Sequence, residues 1–471
     1  MYKVPVTILC IILILYLFWV DRKNKEGVSN AIWIPFISLL FAQSREFSFW
    51  LYYWFHIGFY SESLVEGNLI DRIFSSILLI AGISVLINRR LNWAAIFKNN
   101  SIIWVYFIYG FVSIIWSDYP FVSLKRFIKT SGTIVMALII LTEARPFIAL
   151  GAIMRRLAFI LLPLSVLFIW YYPDLGKGYH SYSGTQWFTG VTSTKNGLGA
   201  LCLAYGIYFS WNLLFGRSSD GKLGQRLHLS IYIIILPMIV WLLHKANSAT
   251  SLSCIIIAVS ILIVARQRFI AQAPLRIMII CLGCIIIYGM LELLFDLKNT
   301  VITMLGRRPD LTTRIPMWDD LLSMVKHPLI GCGYESFWLG ERLTFVQERW
   351  GKLVQAHNGY LETYLNLGGI GLSLLILWIL SGFKKIANYL PVDYLPAVIR
   401  FCLLVVVCFY NYTEATFYGT GMTWLLFLLA TLDISGQNRE MNLPAATARY
   451  LDGPATLSSS SQATGNLTQR D

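Results

Sequence analysis

Charge is scarce in this sequence. Asp, Glu, Lys and Arg make up 13% of its 471 residues, against the ~25% usual in a soluble globular domain. Hydrophobic residues make up 56% and the mean hydropathy is +0.62, so water is not the main solvent and no stretch reads as a soluble catalytic domain. There is no G-x-x-x-x-G-K-[ST] loop and no H-E-x-x-H pair, which removes the usual signatures of ATP hydrolysis and metalloprotease chemistry. The eight cysteines fall mostly inside apolar runs. Cys281 and Cys284 have C-x-x-C spacing but no second pair nearby, which leaves neither a zinc site nor a disulfide framework. No metal and no cofactor is expected. The paired, interrupted halves typical of transporters are also missing. The net charge of +13 is scattered between apolar runs and forms no basic stripe, so no nucleic-acid partner is expected.

Long apolar runs are what the chain does have. Crossing a ~30 Å hydrocarbon core takes roughly 20 helical residues, fewer with interfacial aromatics and snorkelling ends. Thirteen runs qualify: 4–20, 30–43, 69–87, 101–116, 127–142, 156–172, 196–215, 229–243, 249–265, 275–295, 361–381, 397–413 and 417–434, the second being the weakest. The first is followed by Asp21-Arg22-Lys23 without a small-residue cleavage site, which reads as a retained anchor rather than a signal peptide. The fold class is an all-α polytopic integral membrane protein of about 12 (12–13) transmembrane helices with one large loop.

Alternate connections differ in basic residues. One set holds Arg22/Lys23/Lys25, Arg89/Arg90/Lys98, Arg145/Arg155/Arg156, Arg217/Lys222/Arg226, Arg266/Arg268/Arg276 and Lys384/Lys385; the other is poorer at each step. The positive-inside rule then puts the long loop outside and the C-terminus in the cytoplasm. An odd number of spans would put the N-terminus outside, and discarding the weak second run would put it inside. The chain divides into an N-terminal helical bundle (1–295), a large outward loop carrying the chemistry (296–360), three last spans (361–434) and a polar, small-residue tail (435–471) expected to be disordered.

The loop concentrates polar and aromatic residues, and loops of this length are usually functional or disordered. His357 and Asn358 precede an apolar run, so Asn358 fits a helix N-cap and His357 lies at the positive end of a helix dipole. A neutral imidazole there can act as general base beside a bound anion, or simply pack and cap. Arg314 precedes an amphipathic patch at 315–326 and can clamp a diphosphate with its forked guanidinium, or pair with Asp310 or Asp319. Arg307 and Arg308 either add to an anion-binding field or form a solvated cluster. Lys195 and Asn196, at the mouth of another span, offer a further anion contact; snorkelling is the alternative for the lysine. Trp318 and Trp338 can stack on sugar rings or anchor the loop among headgroups. The glycines of Leu367-Gly368-Gly369-Ile-Gly371 are assigned to close helix packing in lipid.

In order along the chain stand Lys195-Asn-Gly-Leu-Gly, Thr313-Arg314 with Trp318, Pro328-Leu-Ile-Gly-Cys-Gly333, Tyr334-Glu-Ser-Phe-Trp338 and Ala356-His-Asn-Gly-Tyr-Leu-Glu362 leading into Leu-Gly-Gly-Ile-Gly-Leu. Across roughly residues 100 to 434 this resembles the bacterial O-antigen ligase/polymerase superfamily, most of all its exopolysaccharide polymerase branch. The resemblance implies a metal-independent inner-membrane glycosyltransferase, working at the periplasmic face on undecaprenyl-pyrophosphate-linked oligosaccharide in membrane lipid. It implies His357 as base for the acceptor hydroxyl, Arg314 as holder of the departing diphosphate and Lys195 as a secondary anion contact. A chain-length regulator and a flippase of the same pathway are the implied protein partners. Family members have about twelve spans, which makes one of the early runs a miscount. Family ligases often carry a Ser-Arg pair where this chain has Lys245-Ala-Asn-Ser248, which disfavours the ligase alternative and leaves Lys245 as a substitute cation.

Overall fold

The computed structural model describes residues 3–22, 27–57, 67–179, 186–216, 222–295, 314–351 and 353–434. Arg307, Arg308 and Asp310, with the rest of 296–313 and the tail from 435, lie outside the described residues.

Among the described residues the chain is all-α apart from one small hairpin. Its helices are α1 (Lys3–Arg22), α2 (Trp33–Ala42), α3 (Phe47–Phe55), α4 (Leu69–Asn88), α5 (Trp93–Asn99), α6 (Ser101–Val112), α7 (Pro120–Leu141), α8 (Pro146–Tyr171) and α9 (Pro173–Gly176). After the antiparallel strands β1 (Lys177–Tyr179) and β2 (Gln186–Phe188) come α10 (Lys195–Phe215), α11 (Lys222–Ala246), α12 (Ala249–Ala265), α13 (Arg268–Gln272) and α14 (Arg276–Phe295). The loop carries α15 (Arg314–Ser323) and α16 (Gly340–Trp350), and the chain closes with α17 (Gly359–Tyr389), α18 (Tyr394–Thr413) and α19 (Met422–Thr431). Among the described residues, eight helices are long and apolar enough to cross a membrane, or nine if the pair α5/α6, bent by 89°, is one span.

Each of the thirteen apolar runs coincides with a helix. The weak second run is a short helix, yet it reaches across the bundle. Ser29 before α2 donates to Glu143 at 2.6 Å, while Arg45 beyond it donates to the Leu175 carbonyl at 2.8 Å, at the opposite end of α8. The start of α1 is also fixed: Thr7 Oγ1 and the Tyr172 hydroxyl lie 2.9 Å apart, which sets it beside the end of α8. The sequence had not foreseen α3, an aromatic helix too short to span, or the β1–β2 hairpin.

The two sets of connections separated by charge lie on opposite ends of the bundle. At one end Asp21 meets Arg155, Arg89 meets Glu143, and Lys385 reaches Asn100. At the other Asp118 meets Arg342 of the loop at 2.7 Å, and Asn196 and Thr250 meet the end of α18. We refer to these as the far face and the loop face.

The described part of the loop is folded rather than draped. Met317, Leu321, Phe337, Trp338, Val346 and Ala356 close on Leu365 of α17 as a small hydrophobic core separate from that of the bundle. Its attachment corrects the reading of the glycines. Gly368 has φ +64° and ψ −167°, which breaks α17, and a Cβ there would come within 2.3 Å of the Leu329 carbonyl carbon. Segment 328–333 lies in that break: Gly333 N donates to Asn366 O at 2.9 Å, Gly369 N to Pro328 O at 2.8 Å and Ile370 N to Leu329 O at 3.1 Å. The glycine is there to admit the loop's backbone, and these bonds satisfy groups the interrupted helix leaves open.

Candidate functional site

Helix α18 ends at Thr413, and Glu414 follows in an extended conformation (φ −136°, ψ 164°). Three helices begin around this point. Helix α17 is capped by Asn358, whose Oδ1 accepts from Tyr360 N at 3.0 Å and Leu361 N at 3.1 Å. Helix α10 is capped by Thr194, which accepts from Gly197 N at 3.0 Å, and α12 by Ser248, which accepts from Ser251 N at 3.4 Å. All three touch the end of α18. Gly359 N donates to Glu414 O at 2.9 Å, Asn196 Nδ2 to Glu414 Oε1 at 2.8 Å, and the hydroxyls of Thr250 and Thr413 are 2.7 Å apart. Gly359 permits this approach, since a Cβ would meet Asn411 Oδ1 at 2.2 Å. Three converging helix N-termini give the region a positive potential suited to an anion.

His357 sits on the rim of this convergence. Its Nδ1 is 3.4 Å from Glu414 Oε2 and 3.4 Å from Gln355 Nε2. Its backbone is left-handed, φ +51°, a conformation uncommon for a non-glycine residue and held here by its surroundings. Those surroundings are explicit. The Trp318 indole donates to Ala356 O at 2.8 Å, and Ala356 N donates to Glu362 Oε2 at 2.9 Å. Glu362, 1% exposed, also receives the indole N–H of Trp338 and Asn366 Nδ2. The residue before His357 is therefore bound through both its backbone polar groups.

Arg314 begins α15 and donates from Nη1 to the Thr413 carbonyl at 2.7 Å. Burial pushes its guanidinium below the usual value and neighbouring Glu414 opposes the shift; an arginine remains cationic regardless. Arg314 and His357 from the loop and Asn196 from α10 thus gather around Glu414 at the end of α18. With a carboxylate beside Nδ1, an imidazole has Nε2 available to take a proton, and the guanidinium and helix termini can take up negative charge.

The sequence-derived candidates divide accordingly. Arg314, His357 and Asn196 come together, and Asn358 is the expected cap. Lys195, the first residue of α10, is exposed next to Asn196. Trp318 positions the backbone before His357 and remains half-buried. Trp338 is corrected: it is 6% exposed and committed to Glu362, so it presents no ring face to a sugar. The Lys245 ammonium lies 5.1 Å from the Phe188 ring centroid and 5.7 Å from that of Trp241, so aromatic rings are its neighbours. The pairing of Arg314 with Asp319 gives way to the Thr413 carbonyl. Sequence reasoning missed Glu414 and Glu362. Glu414 had left a signal, as the one carboxylate between Asp393 and Asp433 in an otherwise apolar region.

These features define a polytopic membrane protein whose folded loop brings a histidine and an arginine to a convergence of helix ends. Residues 231–376 match a family described as O-antigen ligase, a stretch that contains Arg314, Trp318 and His357 but stops short of Glu414. The chain is also 26% identical over 372 residues, 73% of this chain and 80% of the relative, to the exopolysaccharide production protein ExoQ of Rhizobium meliloti (strain 1021). Both comparisons support the resemblance to the O-antigen ligase/polymerase superfamily and, within it, to its exopolysaccharide branch.

Proposed function

We propose that this protein is an exopolysaccharide repeat-unit polymerase, a glycosyltransferase that joins undecaprenyl-pyrophosphate-linked oligosaccharides at the periplasmic face of the bacterial inner membrane. The observation that carries the reading is the gathering of Arg314, His357, Asn196 and Glu414 where three helices begin, in a chain similar to an exopolysaccharide production protein. A lipid diphosphate is already a good leaving group, so the chemistry needs alignment, late removal of a proton and neutralisation of developing charge. His357 Nε2 takes the proton of the acceptor hydroxyl as its oxygen attacks the anomeric carbon. Glu414, at Nδ1, orients the ring and stabilises the imidazolium. The anomeric C–O bond breaks toward the diphosphate, whose charge falls to Arg314, Lys195 and the helix termini. The positive-inside pattern supports an outward loop face.

The test is glycan elongation by purified protein in vesicles with lipid-linked repeat units. His357→Ala is expected to slow elongation by about 10²- to 10⁴-fold, and Arg314→Ala by about 10²- to 10³-fold. Near wild-type elongation by either variant sinks the assigned roles. The family's description as ligase favours one second reading, transfer of glycan to another lipid or protein. It predicts product only when that second acceptor is supplied, whereas a polymerase lengthens lipid-linked chains without it.

A further inference from the structure

A second cationic site lies on the loop face, outside the histidine cluster. Between α2, α3, α4 and α7 is a cavity of about 540 Å³, within the ~300–1,000 Å³ range of small-molecule sites. Arg72, Lys125, Arg126 and Lys129 line it, against two acids, Glu46 and Asp71. Asp71 is already engaged, accepting from Ser48 N at 2.9 Å and from the Ser48 hydroxyl. Lys125 and Lys129 stand one turn apart on α7, a rise of about 6 Å, and share a face. The remaining walls are apolar and include Phe41, Phe74, Leu79 and Met136.

One wall of the cavity, α4, has an exposed apolar outer face. Helix α4 turns Ile73, Ile77 and Ile80, 53%, 59% and 65% exposed, away from the bundle, and only 11% of its apolar window is buried. Cations that face a cavity inside a membrane bundle commonly mark ligand paths. A ligand with a multivalent anionic head and an apolar tail matches both halves of the cavity.

The cavity is also tied to the chemistry. Arg126 donates to the backbone carbonyl of Glu335 in the loop. Thr420 lines the cavity, and the adjoining Gly419 is held by Thr130 at 3.3 Å and Thr133 at 3.0 Å. Glu414 of the histidine cluster stands six residues before Thr420 in the same segment.

We propose that this cavity binds the diphosphate head and first apolar portion of a second lipid-linked substrate, the acceptor. This rests on the polymerase reading. Each transfer breaks one anomeric C–O bond, forms one glycosidic bond and sends one proton to His357, but two lipid diphosphates are present. The donor's leaves, held by Arg314. The acceptor's stays intact and requires cations of its own, which Lys125, Lys129, Arg126 and Arg72 supply.

The test is native mass spectrometry of the full chain with geranylgeranyl diphosphate, alongside geranylgeraniol and inorganic pyrophosphate. Two geranylgeranyl diphosphates are expected per chain, one in the Lys125→Ala/Lys129→Ala variant and one in Arg314→Ala. Lys125→Arg/Lys129→Arg is expected to restore two, and the one molecule retained by the double alanine variant shows that it is folded. Two molecules still bound to the double alanine variant overturn the site. Equal occupancy by geranylgeraniol overturns the role of the cations, and equal occupancy by pyrophosphate overturns the lipid as source. In elongation assays the double alanine variant is expected to raise KM for lipid-linked repeat about tenfold at similar kcat; an unchanged KM overturns the acceptor role. If His357→Ala and Arg314→Ala still elongate glycan, the polymerase reading of the histidine cluster fails while the binding stoichiometry stands by itself.

Discussion

The far face and the loop face of the bundle both bury charge, but they dispose of it differently. On the far face cations close on carboxylates and carbonyls. Arg155 and Arg156 share Asp21 at 2.8 and 3.3 Å, Arg89 pairs with Glu143, and Arg400 donates to the Ala430 and Leu432 carbonyls at 2.9 and 2.8 Å. On the loop face one carboxylate, Glu414, accepts from Asn196 and stands beside His357, Arg314 holds the neighbouring Thr413 carbonyl, and four cations and two acids line the neighbouring cavity. Cations closed in short contacts with the protein's own oxygens hold helices together, whereas cations that line a cavity can also be met by an anionic ligand.

Substitutions on the two faces should therefore separate stability from activity. The largest effect is expected where the loop enters the bundle. Gly368→Ala puts a side chain into a backbone conformation that costs about 1–3 kcal/mol and into overlap with Leu329. Limited proteolysis should then cut the loop and elongation should cease; a protected, active variant would show that the docked segment is dispensable. Next is Asp21→Asn, which leaves Arg155 and Arg156 buried without their carboxylate. A loss of about 3–5 kcal/mol should appear as a lowered Tm in detergent, with near-normal turnover by the protein that remains folded. Activity lost without a change in Tm would erase the distinction between the faces.

Glu414→Gln is the converse case. It keeps a polar group beside His357 but removes the charge that stabilises an imidazolium, so elongation should fall about tenfold or more with little change in Tm. The smallest effect is an absence of reaction. Burial pushes the Cys332 thiol up to about 12, so little thiolate forms at pH 8 and a water-soluble maleimide should leave it unmodified. Labelling should appear in Gly368→Ala; rapid labelling of the unsubstituted protein would mean the loop does not stay docked.

Much of the architecture was legible because the membrane imposes a one-dimensional code. Apolar runs of helical length place the long helices, though not the short aromatic α3, and Asn358 is recognisable as a cap from its position before such a run. The loop's internal order was less legible. Trp338 reads equally well as a sugar platform or a headgroup anchor, and its burial in the loop's own core against Glu362 excludes both.

The sequence by itself determined an all-α membrane protein with a large loop, and it singled out His357 and Arg314. Tertiary structure alone decided that Glu414 stands beside His357 and next to the carbonyl that Arg314 holds, that Gly368 opens α17 to admit the loop, and that Lys125 and Lys129 line a cavity. The reason is physical. Spanning helices are selected by local solvation, which can be read residue by residue, whereas a site depends on contacts between positions such as Asn196 and Glu414, 218 residues apart, which no local pattern encodes.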